Sequence, residues 1–398
     1  MTRVAHRADR PAAPPCVAIP LAVLFVVLRW LDAAHRQLGE FVVAGTKYAN
    51  PARVPKNLPV RSIDGYDGQF YYRLGLDPFD LARAAFGIRL DSFSRVERMG
   101  YSFLAWVVSG GQHAWLPLAL VVVNVVACGV VALAGGLVAH SLGRHTLWGL
   151  VFAGYWGYLW TIGRDLTELT AAAFVLLGLA AFLRRAPVWS GVAFLGAVLS
   201  KETSVLLVGT LAVVALWQRF QSAPETDPAR TDGYVGRRVT PRRSDAAFFV
   251  PLGGFVIWQG ILLQATGKLP IYKSGGENLG ILFEGVSEGF SHYLSLFPST
   301  ASALWMGELG VLLFVTLGAA ASFPDARVEL RALWVVSVLL LLGAAKGIWL
   351  GDVGFRSLDD AYLTGWLLLL CRRGALWPWA ATCAAAWLAV FVELVRFV

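Results

Sequence analysis

Arg61-Ser62-Ile63-Asp64-Gly65-Tyr66-Asp67-Gly68-Gln69-Phe70-Tyr71-Tyr72-Arg73-Leu74-Gly75-Leu76-Asp77-Pro78-Phe79-Asp80 is a polar island in a chain that is mostly apolar. Four carboxylates (Asp64, Asp67, Asp77, Asp80), three tyrosines and the amide of Gln69 crowd into it. Asp64-Gly65 and Asp67-Gly68 are turn dipeptides, because Gly tolerates positive φ and Asp bonds its own backbone in tight turns. Asp77-Pro78 reads as a helix start, with Asp as N-cap and Pro at the first helical position. That predicts an amphipathic helix from Pro78 to about Leu90. A second helix is expected from about Ser94 to Ser109, with Arg95 and Arg98 three apart on one face.

Outward from the island the chain is too apolar for a soluble globule: 57% of residues are hydrophobic, the mean hydropathy is +0.60, and there are 16 Trp. Runs of membrane-spanning length argue an all-α polytopic membrane protein. Spans are expected over 16–31, 115–139, 147–162, 166–183, 246–266, 302–320, 332–348, 358–370 and 375–396. Residues 188–217 hold Lys201-Glu202 in mid-run, which is costly in one spanning helix. Two short helices turning at that dipeptide fit better, which brings the expected count to 11. The basic start also fits a signal peptide ahead of residues 16–31, but no small-x-small cleavage site follows, which favours a retained helix.

Charge placement orients this bundle. Arg144, Arg184, Arg185, Arg219, Arg327, Arg331, Arg372 and Arg373 fall in connections of one side, where basic residues outnumber acidic ones. That side is cytoplasmic by the positive-inside rule. Residues 1–15 are then a disordered cytoplasmic N-terminus and 218–245 a disordered cytoplasmic loop. Residues 16–398 form a single transmembrane unit. Its connection 32–115 lies outside and holds the island; so long a connection in a bundle is usually functional. Residues 267–301 form a second outer loop.

The outer connections also hold the chemistry. Asp165 and Glu168 share a face at the mouth of a helix, where Asp165 could equally be a cap. Lys201 and Glu202 sit at the turn between two helices and could simply pair with each other. Arg356 lies between two apolar helices, with Asp359 or Asp360 as the ordinary salt-bridge partners. Carboxylates edged by cations suit an acceptor hydroxyl that needs a base and a donor that bears phosphate. The four cysteines show no metal or disulfide spacing. No phosphate-binding loop of the Walker type and no nucleic-acid motif is present, so the partner expected is the lipid bilayer, not nucleic acid.

Tyr66-Asp67-Gly68-Gln69-Phe70-Tyr71-Tyr72-Arg73, with Leu76-Asp77-Pro78 and Gly87-Ile88-Arg89-Leu90-Asp91 leading to Arg95 and Arg98, resembles the GT-C superfamily of integral-membrane glycosyltransferases. The likeness extends to Asp165-Leu166-Thr167-Glu168, Lys201-Glu202-Thr203 and Phe355-Arg356, and is nearest to a bacterial group that builds cell-surface glycopolymers. It implies a bundle of about this helix count and a polyprenyl-phosphate-linked sugar donor. It also implies a glycan or glycolipid acceptor and an active site on the outer face of the cytoplasmic membrane. Asp67 corresponds to the essential Asp of the first outer loop. Asp-Gly-Gln replaces the Asp-x-Asp or Glu-Asp pair of many relatives, which leaves a divalent cation open and assigns no metal ligands. The expected roles are Asp67 as general base, with Asp64 a second carboxylate, and Gln69, Tyr71 and Tyr72 positioning sugar or acceptor. Arg98, Lys201 and Arg356 hold phosphate, with Asp165, Glu168 and Glu202 beside them. A single displacement would invert the anomeric centre. The alternative is a transporter or flippase of lipid-linked glycan precursors.

Overall fold

The computed structural model describes residues 11–221, 245–351 and 354–396. The fold is mostly helical, at 72%. The first helices are α1 (Ala13–Leu31), α2 (Gly68–Leu76), α3 (Ser94–Glu97), α4 (Met99–Val108), α5 (Leu116–Ser141), α6 (Gly149–Ala153), α7 (Gly157–Gly163), α8 (Glu168–Leu183) and α9 (Pro187–Ser200). There follow α10 (Ser204–Gln221), α11 (Ala246–Thr266), α12 (Pro270–Asn278), α13 (Glu284–Ser295), α14 (Thr300–Ser322), α15 (Val328–Leu342), α16 (Lys346–Trp349), α17 (Asp359–Cys371) and α18 (Trp377–Arg396). The only strands among the described residues are two short pairs: Ala44–Gly45 beside Val60–Arg61, parallel, and Ala84–Ala85 beside Ile88–Arg89, antiparallel.

Among the described residues six helices are long and apolar enough to cross a membrane: α1, α5, α10, α11, α14 with its 3-10 extension, and α18. This is compatible with a multi-pass membrane protein. Each of the other expected spans carries helix too, but α8, α9, α15 and α17 have only 16, 14, 15 and 13 residues. The run 147–162 is interrupted: α6 and α7 part at Gly154-Tyr155-Trp156. There Tyr155 packs against Trp156, Tyr158 and Tyr362, and its hydroxyl donates to the Phe355 carbonyl. The break between α9 and α10 falls where the charge of Lys201-Glu202 requires it, with Lys201 in an extended conformation.

The bundle is assembled around α5, which packs on α1, α4 and α8; α9 joins α8 to α11, and α17 lies between α14 and α15. The island builds its own hydrophobic cluster at one end of this bundle. Phe70, Tyr71 and Leu74 of α2 pack with Tyr101 of α4 and with Leu116 and Leu120 of α5.

Four expectations need correction. The helix predicted from Pro78 to Leu90 does not form; the helix lies earlier, at Gly68–Leu76, and Asp77 ends it. Asp77 Oδ1 accepts the N–H of Phe79 and Asp80 Oδ1 that of Ala82, both at 2.9 Å. These are bonds to the residue two ahead, so both aspartates close turns instead of capping a helix. Arg73, buried at the end of α2, locks the turns by donating to the carbonyls of Asp80 and Ala82. Second, the helix expected over Ser94–Ser109 is broken at Arg98 (φ −89°, ψ 44°). Third, α1 begins at Ala13, inside the stretch expected to be disordered; residues 1–10 lie outside the described residues. Fourth, α10 continues to Gln221, so only 222–244 of the expected loop lie outside them.

The two Asp-Gly pairs differ. Gly65 takes the left-handed conformation (φ 78°) that favours glycine. Gly68 opens α2, and a Cβ there would stand 2.4 Å from the Arg164 carbonyl oxygen and 2.8 Å from that of Val42. Both are backbone atoms, which cannot swing aside. Gly68→Ala should therefore lift α2 off the 164–167 connection and destabilise the protein by about 1–3 kcal/mol, the usual cost of overpacking. A lowered apparent Tm in detergent measures it; an unchanged Tm would refute the close approach.

Candidate functional site

The polar residues of five separate segments meet at one end of the bundle. Asp67 caps the start of α2 without a side-chain bond to its own helix. Its Oδ2 instead receives Arg95 Nη1 at 2.9 Å and Arg356 Nη2 at 3.0 Å. Arg356 Nη1 is bonded to Glu168 at the first residue of α8. Arg95 also holds Asp91 through two bonds, at 3.0 and 2.8 Å. Arg98 makes a bidentate pair with Glu202, both bonds at 2.7 Å, and donates to the Tyr71 hydroxyl at 3.3 Å. Asn278 Nδ2 donates to the same Glu202 at 3.1 Å.

Arg356 is placed by packing as well as charge. Gly157 passes so close that a Cβ would lie 2.8 Å from the Arg356 Cα. The Tyr155 hydroxyl pins the preceding carbonyl. Its guanidinium lies over the Tyr66 ring, 5.4 Å from the centroid, and that ring also carries Arg164 at 4.6 Å.

These groups enclose a cavity of about 280 Å³ whose lining includes Tyr66, Asp67, Asp91, Arg95, Arg98 and Arg356. A guanidinium carries five N–H donors. The carboxylates hold each of the three arginines without exhausting it, and the buried Nε of Arg356 has no partner. Three part-satisfied forks around one cavity suit the oxygens of a phosphate group. Burial pushes the Asp67 carboxyl upward, but the charges of Arg95, Arg356 and Arg98 together outweigh it and hold the group below the ordinary carboxylate range. Burial likewise opposes charge on Arg98, and Glu202 more than restores it. Asp67 is therefore an anion held in place by cations. Among the described residues no three His, Cys, Asp or Glu side chains are grouped to hold a metal ion.

Of the expected site residues, Asp67, Arg98 and Arg356 line this cavity. Glu168, Lys201 and Arg98 line a smaller one next to it, of about 50 Å³. Glu202 backs Arg98, and Tyr71 supports it through its hydroxyl. The other four stand elsewhere. Asp64 is exposed and paired with Lys47. Gln69 is buried and accepts the Gly45 N–H at 3.2 Å, bracing the connection. Tyr72 donates to Asn57 Oδ1 at 2.9 Å. Asp165 is fully buried, accepts from Tyr101 at 3.4 Å and leaves its second oxygen unpartnered. Burial drives its carboxyl well above the usual range, and Thr167, not Asp165, stands at the start of α8.

The ion pairs expected from chain proximity are also rearranged. Lys201 does not pair with Glu202. It reaches Asp359 at 2.5 Å, Asp360 at 2.9 Å and the Ser357 carbonyl at 3.3 Å. Three acceptors satisfy the three donors of an ammonium, so Lys201 fastens the α9–α10 break to α17 instead of offering a free charge to phosphate. Arg356, in turn, meets neither Asp359 nor Asp360. Arg95, Asp91, Tyr66 and Asn278 are site residues that sequence reasoning left out of the binding set. For Arg95 the signal was present, three residues before Arg98.

Glu97 is another buried carboxylate of this region. Gln259 of α11 donates to its Oε1 at 2.7 Å and its Oε2 is unpartnered. Burial pushes its pKa up to about 7, with hydrogen bonding by Ser274 and Gln259 pulling the other way.

No protein-family model matches the chain, and neither a curated protein nor a solved structure matches it.

Two predictions arise from these pairs. Arg98→Met leaves Glu202 buried and uncompensated and should cost about 3–5 kcal/mol, as should Glu202→Leu. The double variant should lose clearly less than the sum, and additive losses in a double-mutant cycle would mean that the pair is not coupled. Glu97, with its pKa raised from 4.5 to about 7 on folding, favours the fold fully below its unfolded value. That contribution is lost as pH rises through about 7. Glu97→Gln should flatten the fall in apparent Tm between about pH 5 and pH 8; an unaltered pH profile would exclude Glu97 as its source.

Proposed function

We propose that the cavity around Asp67 is the active site of a membrane glycosyltransferase of the GT-C type, with 11 spans. In this reading the enzyme moves a hexosyl or pentosyl group from a polyprenyl-phosphate donor to a hydroxyl of a cell-envelope glycan or glycolipid. The observation that carries the proposal is two carboxylates, Asp67 and Asp91, and three guanidinium groups converging on a single cavity from segments as far apart as Asp67 and Arg356. The site lies in the outer face of the cytoplasmic membrane. Supporting that orientation, Arg144 is bonded to the Leu370 and Arg372 carbonyls and Arg219 to Asp245, at helix ends away from the cavity.

The reaction is a single displacement with inversion. The acceptor oxygen forms its bond to the anomeric carbon as the bond from that carbon to the phosphate oxygen breaks. The electron pair leaves on the phosphate, where Arg95, Arg98 and Arg356 supply hydrogen bonds and positive charge. The acceptor proton passes to Asp67. Held below the usual carboxylate range, Asp67 is a weak base while both arginines grip it. A phosphate that draws Arg95 and Arg356 toward itself loosens that grip and raises the basicity of Asp67 when the proton must move. Lys201 contributes by holding the helix break.

The transporter reading draws on one observation, the buried Lys201–Asp359–Asp360 triad at a broken helix, since transporters place ionisable groups at such breaks. Translocation of a lipid-linked sugar without a new glycosidic bond would favour it.

The test is transfer from a polyprenyl-phosphate sugar by purified protein. Asp67→Asn should lower the rate about 10²–10⁴-fold in the folded protein, the usual worth of a general base. Wild-type rates in a folded Asp67→Asn protein would remove the assignment.

A further inference from the structure

A second cavity, of about 420 Å³, opens beside the first. Asp91 and Ser94 line both, so together they form the partition between them. On the far side the lining carries three cations, Arg83, Lys268 and Lys273, against the single carboxylate of Asp91. Asp91 is already committed to Arg95 through two bonds, so it does little to neutralise them. Neither Arg83 nor Lys268 forms an ion pair with any described residue. The rest of the wall is ring and aliphatic surface from Phe93, Leu269 and Tyr272, the last 81% exposed.

The balance differs from that of the first cavity. There every arginine already has a carboxylate behind it, whereas here an excess of positive charge lines a large opening with aromatic faces at hand. Arg83 and Lys268, with flat apolar surface beside them, suit a sugar ring that bears an anion: the two cations take the charge and the rings cover the C–H faces. The cavity is contiguous with the wall that holds Arg95, and Arg95 holds Asp67. An acceptor lying in the second cavity would reach the carboxylate of the first past Asp91 and Ser94, the two residues the linings share.

Resting on the glycosyltransferase reading above, we infer that the second cavity is the acceptor site and that the acceptor is an anionic glycan, one carrying carboxylate or phosphate groups. Arg83 and Lys268 select it by charge, and Tyr272 and Phe93 by ring contact.

A binding measurement, with no turnover required, tests this. The intact protein is placed in phosphatidylcholine nanodiscs and titrated with hyaluronan tetrasaccharide and with its carboxyl-reduced, neutral counterpart. The anionic form should bind roughly tenfold more tightly, as expected for charge-assisted contacts. An Arg83→Gln/Lys268→Gln double variant should lose that preference, whereas Tyr272→Ala should weaken both sugars alike. Equal binding of the two sugars, or a double variant that still discriminates, overturns the proposal. Replacing part of the lipid with phosphatidylglycerol separates the two sources of anion. A preference that survives assigns the cavity to a glycan; one that vanishes gives the cations to lipid headgroups and overturns the glycan assignment. The Asp67→Asn protein should show the same preference. Failure of the transfer assay and failure of this binding test are thus told apart.

Discussion

Arg356 joins Asp67 to Glu168, and with them three distant parts of the chain. The three residues come from the island, the mouth of α8 and the segment before α17, and all are largely withdrawn from solvent. A buried guanidinium is tolerable only when its charge is matched. The pairing therefore constrains far more than the three side chains. It holds α2 against the 164–167 connection, where Gly68 is needed for the backbones to touch. It also sets the position of the 3-10 turn that Tyr155 pins from the other side. Removing one carboxylate would leave the arginine short of a counter-charge in a place water does not readily reach.

The same logic explains how the polar residues of the site are distributed. Each of Arg95, Arg98 and Lys201 is met by carboxylates from a different segment, so the connections of the bundle are fastened to one another by matched charge. Apolar packing orders the helices below. At their ends, where polar backbone is exposed and apolar surface is scarce, ion pairs do the ordering. This division lets short elements such as α8, α9 and α17 hold their places despite being below spanning length.

Much of this was legible in the sequence. Apolar runs mark helices because burial of such surface is non-directional and depends little on partner, and every expected run carries helix. The break at Lys201-Glu202 was legible for the same reason, since unpaired charge inside an apolar helix is costly. The island, Glu168, Glu202 and Arg356 were legible as polar positions in the connections between apolar runs, and it is these that meet. What failed was anything decided by a specific partner. Asp77 and Asp80 have the chemistry of a helix cap and of an Asx turn equally, and Arg73 at the end of α2 tipped them to the second. Lys201 and Glu202 are adjacent in the chain but pair with α17 and Arg98, because their side chains leave the turn in different directions. Asp165 read as a site residue or a helix cap; its burial against Tyr101 depends on a helix more than sixty residues away.

The double grip on Asp67 also carries a kinetic meaning. A carboxylate bound by two guanidinium groups cannot take a proton readily, and only a competing anion loosens those groups. If two substrates meet in this cavity, their sequence is set by electrostatics: the phosphate-bearing one must arrive before the hydroxyl can be activated. An acceptor that came first would find the base still occupied, and water in the empty cavity would find the same. In the proposed glycosyl transfer the arginines would thus be a latch on reactivity as well as a cradle for the leaving group, with the donor as its key.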